Sequence, residues 1–407
     1  MLLAVWLLGA CGRLAFDPLG DAGLDTHGLG SIMVSVRGDT LAAAPVEGAY
    51  VFGDPFVSLV RTDAAGLALL PVAGETTVEV MYSFAGSAWR VYSVLAQPPA
   101  TAVELGGRYL PSSGHSMTIQ VATFATSVSY EVRTPERCGT GAVAPGVTMT
   151  LSFDAACESQ TVTVLVLTLD AGNVPRSYEA QVMLASGTTA TATGSYVTNA
   201  SINVSLTNLP VDATMARVDL VHWSADGASY LRHGPSTSAV IVNRAASVIS
   251  SGGLEPDAIS VVVGSAAGGY SRWLFRDSMP MSGTIDGSGM LPQASFVGLE
   301  TGVSARWALT TPATPLDPTT LVVYDATISG NTIVQWTVIA DPRFTSAAFP
   351  QPPPDVPAID PRPIASAAFE VSIVDAAGAA IHERDLPGLR VLNGKLPPGG
   401  FKIAGAR

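Results

Sequence analysis

Residues 147–153 read Val-Thr-Met-Thr-Leu-Ser-Phe, and residues 161–169 read Thr-Val-Thr-Val-Leu-Val-Leu-Thr-Leu. In the first stretch Val147, Met149, Leu151 and Phe153 alternate with Thr148, Thr150 and Ser152, the period-two pattern of a half-buried strand. The second is more uniformly apolar and suits a central strand. The alternation recurs along the chain. Val78, Val80 and Tyr82 alternate with Thr77, Glu79 and Met81; Ile202, Val204 and Leu206 alternate with Ser201, Asn203 and Ser205; Phe369, Val371 and Ile373 flank Glu370 and Ser372. Turn-forming clusters such as Asp63-Ala64-Ala65-Gly66 and Ser329-Gly330-Asn331 separate the runs. No long amphipathic helix interrupts them. The pattern predicts an all-β chain of several tandem β-sandwich domains.

The chain has 407 residues, enough for about three or four domains of ordinary size. Breaks near Gly106-Gly107, Ser186-Gly187 and Ser282-Gly283 divide it into sandwiches over 31–105, 106–186, 187–283 and 284–407. Residues 342–363 are Pro-rich and include Gln351-Pro352-Pro353-Pro354, a polyproline-like stretch. It is read as a long loop crossing the last sandwich, because the residues after it are too few for a core of their own. Before the first sandwich, residues 12–30 read GRLAFDPLGDAGLDTHGLG, without apolar period and dominated by Gly, Asp and Pro; residues 11–30 are therefore a flexible tether. Apolar residues make up 47%, which excludes disorder of the whole chain. A formal net charge of −12 argues against a nucleic-acid binder and against electrostatic docking on anionic lipid.

The first eleven residues are MLLAVWLLGAC. The apolar run from Leu2 to Leu8 is too short to span a bilayer, which takes ~20 residues, and has the size of the apolar part of an export signal. Leu8-Gly9-Ala10-Cys11 resembles the lipobox of bacterial lipoproteins. That resemblance implies a signal peptide over residues 1–10, cleavage before Cys11, lipid on the Cys11 thiol, export and attachment to the membrane through the lipid. Gly12, where Asp would favour retention at the inner membrane, implies the outer membrane of a two-membrane bacterium. The departure from the pattern is that no Lys or Arg precedes the apolar run. With Cys11 committed to lipid, Cys138 and Cys157 remain, and in an oxidising compartment an even remainder reads as a disulfide. Such a bridge stabilises by roughly 3 kcal/mol in the chain-entropy picture.

Residues 31–105 resemble the carboxypeptidase regulatory-like domain, a transthyretin-type sandwich. The likeness rests on Ile32-Met33-Val34-Ser35-Val36, on Pro45-Val46-Glu47-Gly48-Ala49-Tyr50-Val51, on Arg61-Thr62-Asp63-Ala64-Ala65-Gly66-Leu67, and on the strand from Thr76 to Tyr82. It implies a fold and, being an accessory module, no activity. The rest of the chain is similar to secreted multi-sandwich lipoproteins, on Cys138 and Cys157 flanking a strand and on Ile333-Val334-Gln335-Trp336-Thr337-Val338.

Chemistry is sparse. His27, His115, His222, His233 and His382 lack zinc spacing, there is no Gly-x-Ser-x-Gly elbow, and Asp286-Gly287-Ser288-Gly289 is half a calcium loop without its remaining acidic ligands. No catalytic residue, metal or cofactor is expected. Aromatic residues supply the one lead: Tyr270 and Trp273, with Phe275 nearby, are candidates for stacking on a ligand, while Trp307 and Trp336 fit core positions. The expected role is that of a non-enzymatic, lipid-anchored envelope protein that scaffolds or binds, with envelope proteins or glycans as partners. The alternative is a glycan-binding or glycan- or peptide-processing envelope enzyme whose loop site has no sequence signature.

Overall fold

The computed structural model describes residues 30–38, 44–54, 58–85, 88–106, 113–135, 138, 141–170, 175–198, 200–223, 230–232, 239–252, 258–264, 270–276, 283–292, 294–300, 304–309, 320–330, 332–351, 354, 359, 362, 364–375 and 401–406. They are almost entirely strands, arranged as several small sheets and one large one.

The first segment holds β1 (Gly30–Arg37), β2 (Tyr50–Asp54), β3 (Leu59–Arg61), β4 (Leu67–Val72), β5 (Thr76–Ala85), β6 (Ala88–Gln97) and β7 (Ala102–Gly106). The second holds β8 (Ser113–Val121), β9 (Ser127–Arg133), β10 (Ala142–Ala144), β11 (Thr148–Asp154), β12 (Thr161–Asp170), β13 (Pro175–Met183), β14 (Thr189–Ala192) and β15 (Val197–Thr198). Next come β16 (Ala200–Thr207), β17 (Met215–Trp223), β18 (Tyr230–Arg232), β19 (Ala239–Val240), β20 (Ala246–Gly252), β21 (Ala258–Gly264), β22 (Tyr270–Arg276) and β23 (Thr284–Asp286). The last are β24 (Ala294–Glu300), β25 (Ser304–Leu309), β26 (Leu321–Ser329), β27 (Ile333–Ala340), β28 (Ser346–Ala348), β29 (Ser366–Asp375) and β30 (Phe401–Ala406).

The second segment is a sandwich in its own right. Sheet β10-β9-β12-β13-β15 faces sheet β11-β8-β14, and its buried cluster draws only on this segment, from Met117 to Ala192. Met149, Leu151 and Phe153 point inward from β11 while Thr148, Thr150 and Ser152 are exposed. The apolar run at 161–169 forms β12, the strand between β9 and β13. Strands β14 and β15, which follow Gly187, still pair with β8 and β13, so this unit continues past the Ser186-Gly187 break. The third segment likewise has a core of its own, from Val204 to Ile285.

The first and last segments are organised differently. Strand β6 pairs in parallel with β27, from Trp89 opposite Val334 to Val94 opposite Ile339, which joins β3-β2-β5-β6 to β27-β26-β29 in one continuous sheet. Strand β30 carries that sheet on to β22 of the third segment. Each face of the joint sheet belongs to a different core. Val51, Val78, Val80, Tyr82, Tyr92 and Val94 pack with Ile32, Val34, Val36 and Leu70 of sheet β4-β1-β7. On the opposite face Phe52, Met81 and Val91 pack with Trp336, Tyr324 and Val338, and with Ala305, Trp307 and Ala347 of sheet β24-β25-β28. The result is three layers of strands in which the middle layer has no solvent face. Strand β5 therefore departs from the half-buried expectation: Glu79 and Met81, on its supposed outer side, are both buried.

Turn chemistry sets the edges. Asp63 Oδ1 accepts the amides of Ala65 and Leu67 at 2.9 Å each, and Gly66 takes φ +74°, where an added Cβ would lie 2.5 Å from the Val36 carbonyl oxygen, so a side chain there would collide with backbone. Within the Pro-rich stretch β28 pairs with β25, and Phe344, Phe349 and Ile359 pack in or against the second of the two shared cores.

Met81 belongs to a strand of the first segment but to a core built mostly by the last. Met81→Ala is expected to cost about 2–5 kcal/mol and to raise amide hydrogen exchange in β26 and β29 together with β5. Unchanged exchange in β26 and β29 would show that the two segments do not share a core.

Candidate functional site

Two of the places where the fold brings polar groups together among the described residues bear on function. The first is the covalent corner of the second sandwich. A short 3₁₀ turn, Ala155–Cys157, follows β11 and places Cys157 beside Cys138; the two are disulfide-bonded with Cα atoms 5.7 Å apart, and both are fully buried. Directly after it, Glu158 binds across to its surroundings. Its Oε2 lies 2.7 Å from His115 Nδ1 on β8, and its Oε1 accepts the Ser186 amide at 2.9 Å. The His115 hydrogen bond, then the Ser186 amide, hold the Glu158 carboxyl below the usual carboxylate range. His115 also meets the Phe153 ring edge-on at 5.9 Å. The corner thus ties β8, the disulfide turn and the loop after β13 together, and its chemistry is that of a staple.

The second place is the seam between β6 and β27. Glu79 on β5 accepts a hydrogen bond from Ser93 Oγ of β6 at 2.7 Å. Ser93 Oγ in turn accepts the indole N–H of Trp336 on β27 at 3.0 Å. Burial pushes the Glu79 carboxyl well above its ordinary value; the Ser93 hydroxyl acts against that shift and the like charge of Asp54 adds to it. A raised carboxyl in a cleft would suggest general acid chemistry, but Glu79 is only 3% exposed and sits within a packed core.

The residues singled out from sequence fall as follows. Cys11, His27, His233 and His382 lie outside the described residues. Cys138 and Cys157 are joined to each other. Tyr270 and Trp273 lie on β22, where Trp273 is paired with Val262 and Ile403. Trp307 and Trp336 are core residues at 2% and 0% exposure, and the indole of Trp307 donates to the Phe344 carbonyl at 2.9 Å. Asp286 closes a turn, accepting from the Ser288 amide and from Asn208. Among the described residues no three His, Cys, Asp or Glu side chains are grouped to hold a metal ion. Sequence reasoning passed over Glu79 and Ser93, because an alternating Glu and a strand Ser both read as solvent-facing.

What the geometry defines is a class: an all-β chain built of several small sheets, loosely of the sandwich kind. No family model matches the chain, and no curated protein matches it. Among solved structures it is similar to the TIE protein of Bacillus anthracis at 9% identity, over 62% of this chain and 46% of that one, with a TM-score of 0.15. The N-terminal eight Ig domains of Down syndrome cell adhesion molecule align at 10% identity, over 77% of this chain and 57% of that one, with a TM-score of 0.10. The chain thus spans about half the length of each, and at such TM-scores neither likeness bears on fold or role.

Two outcomes are expected at the disulfide corner. Replacing Cys138 and Cys157 by Ser should lower the stability of the second sandwich by about 3 kcal/mol, read as a lower denaturant midpoint. Glu158 has a depressed folded-state pKa, so its contribution is present above the ordinary value of 4.5 and is lost as pH falls below it. Glu158→Gln should flatten the acid limb of the stability curve below that value; an unchanged acid limb would remove Glu158 as its cause.

Proposed function

We propose that the protein is a lipid-anchored component of a bacterial cell envelope with a structural or binding role and no catalytic one. The observation that carries this is the order Leu8-Gly9-Ala10-Cys11 at the end of a short apolar run, followed by a Gly-, Asp- and Pro-rich tether. A thioether-linked lipid on Cys11 holds the chain at the membrane, with Gly12 favouring the outer one, and residues 12–30 let the strand layers stand clear of the headgroups. The buried Cys138–Cys157 bridge supports export, since such bonds persist in oxidising compartments. Residues 31–105 are a carboxypeptidase regulatory-like module in this reading, supported by β1, β2, β4, β5 and the Asp63 turn. A rigid scaffold of sheets leaves the loops at its ends to meet envelope proteins or glycans.

The test is fractionation. Wild-type protein is expected with the membranes and extractable by detergent, with mass spectrometry showing an acylated Cys11 at the mature amino terminus. Cys11→Ser should release it to the soluble exported fraction. An unmodified, uncleaved amino terminus in native material would overturn the proposal.

A further inference from the structure

The seam between β6 and β27 carries a feature that a scaffold role leaves unexplained. One row of the joint sheet runs Phe52, Glu79, Ser93, Val338, Tyr324 and Val371 across β2, β5, β6, β27, β26 and β29. All six are buried, Ser93, Val338, Tyr324 and Val371 fully. Phe52, Tyr324 and the two Val residues fill the core with mostly apolar side chains, whereas Ser93 at the seam and Glu79 on the next strand contribute a hydroxyl and a carboxyl. In the adjacent row Trp336 lies opposite Val91 and sends its indole N–H to Ser93. The hydrogen-bonded chain Glu79–Ser93–Trp336 therefore crosses from the first segment to the last at the one ladder where β6 and β27 meet.

We propose that this chain is a proton-gated latch: with a proton on Glu79 the β6–β27 seam is closed, and loss of that proton loosens it. The surroundings set the direction. Asp54 is the charged group on β2 that acts on Glu79, and its like charge disfavours ionisation. Strands β6 and β27 offer the uncharged Ser93 and Trp336. Strand β26 offers the Tyr324 phenol, which its own burial keeps protonated, and β25 and β28 present Ala305, Trp307 and Ala347. Arg90 and Asp325 occupy the alternate positions of β6 and β26 and so belong to the other face. Among the described residues the groups named on these strands include no cation facing Glu79, and Ser93 is the hydrogen-bond donor to its carboxyl. Burial has already raised the Glu79 carboxyl, so the folded seam binds the proton more tightly than the unfolded chain does. Its stability is fully present below the ordinary carboxylate value and declines as pH rises toward the folded-state value. This device lies beyond anchoring and does not depend on Cys11.

The test is amide hydrogen exchange on the full chain between pH 5 and 9, with rates divided by the intrinsic exchange rate at each pH. Protection of Val334–Ile339 in β27 is expected to fall by up to about tenfold per pH unit, while β12 in the second sandwich stays flat as an internal reference. Glu79→Gln, which keeps an acceptor and cannot ionise, should abolish the slope. Ser93→Ala removes the donor that favours the carboxylate, so the decline should extend to higher pH, and this variant serves if Glu79→Gln does not fold. A flat wild-type profile, a slope that survives in Glu79→Gln, a Ser93→Ala curve that superposes on wild type, or an equal slope in β12 would each overturn the latch.

Discussion

The parallel ladder between β6 and β27 decides the architecture of the rest. Antiparallel neighbours can be closed by a turn, but parallel strands need a crossover, and here the crossover contains two complete segments, from β7 to β26. Because of that pairing, the sheet that the first segment would have shown to solvent becomes the floor of a second core. Met81, Phe52 and Val91 are buried by residues more than two hundred positions away in the chain. The first and last segments, separated in sequence by two others, are thus one three-layered body in space.

Such a closure is less costly than its length suggests. The entropy of joining loop ends grows only logarithmically, about 0.6 kcal/mol for each doubling, and the intervening chain is already compact in two units with cores of their own. The second of these is further held by a buried disulfide, which restrains its unfolded state regardless of what the seam does. Local units form from local contacts. The seam, made of pairings at the greatest sequence separation, depends on their having brought its two strands within reach.

This division explains what could be read in advance. Where a sheet has one wet face, alternation is a faithful guide: Met149, Leu151 and Phe153 are inward and their Thr and Ser neighbours outward. Strand β12, with its nearly continuous apolar run, is the interior strand its composition suggests. The Asp63 turn follows from local chemistry alone. Strand β5 is the exception. Its sequence alternates, yet both faces are covered, and the polar residue on the outer side is the buried Glu79. A parallel partner far along the chain leaves no local trace. Even Trp336, plain as a core aromatic, gives no sign in sequence that its N–H reaches a serine in the first segment.

A buried carboxyl, hydroxyl and indole also do something that hydrocarbon at the same positions would not. The faces of β6 and β27 are rich in Val, and Val packs on Val in more than one alignment. Sliding β27 by one residue exchanges its faces and is excluded by burial alone. Sliding it by two keeps every apolar residue on its proper face. A slip that moves Trp336 from opposite Val91 to opposite Trp89 takes its indole away from Ser93, and a buried donor without a partner costs about 1–3 kcal/mol. The polar chain across the seam therefore disfavours that slip, and the packing of the two cores on either side acts with it to hold the register of the joint sheet.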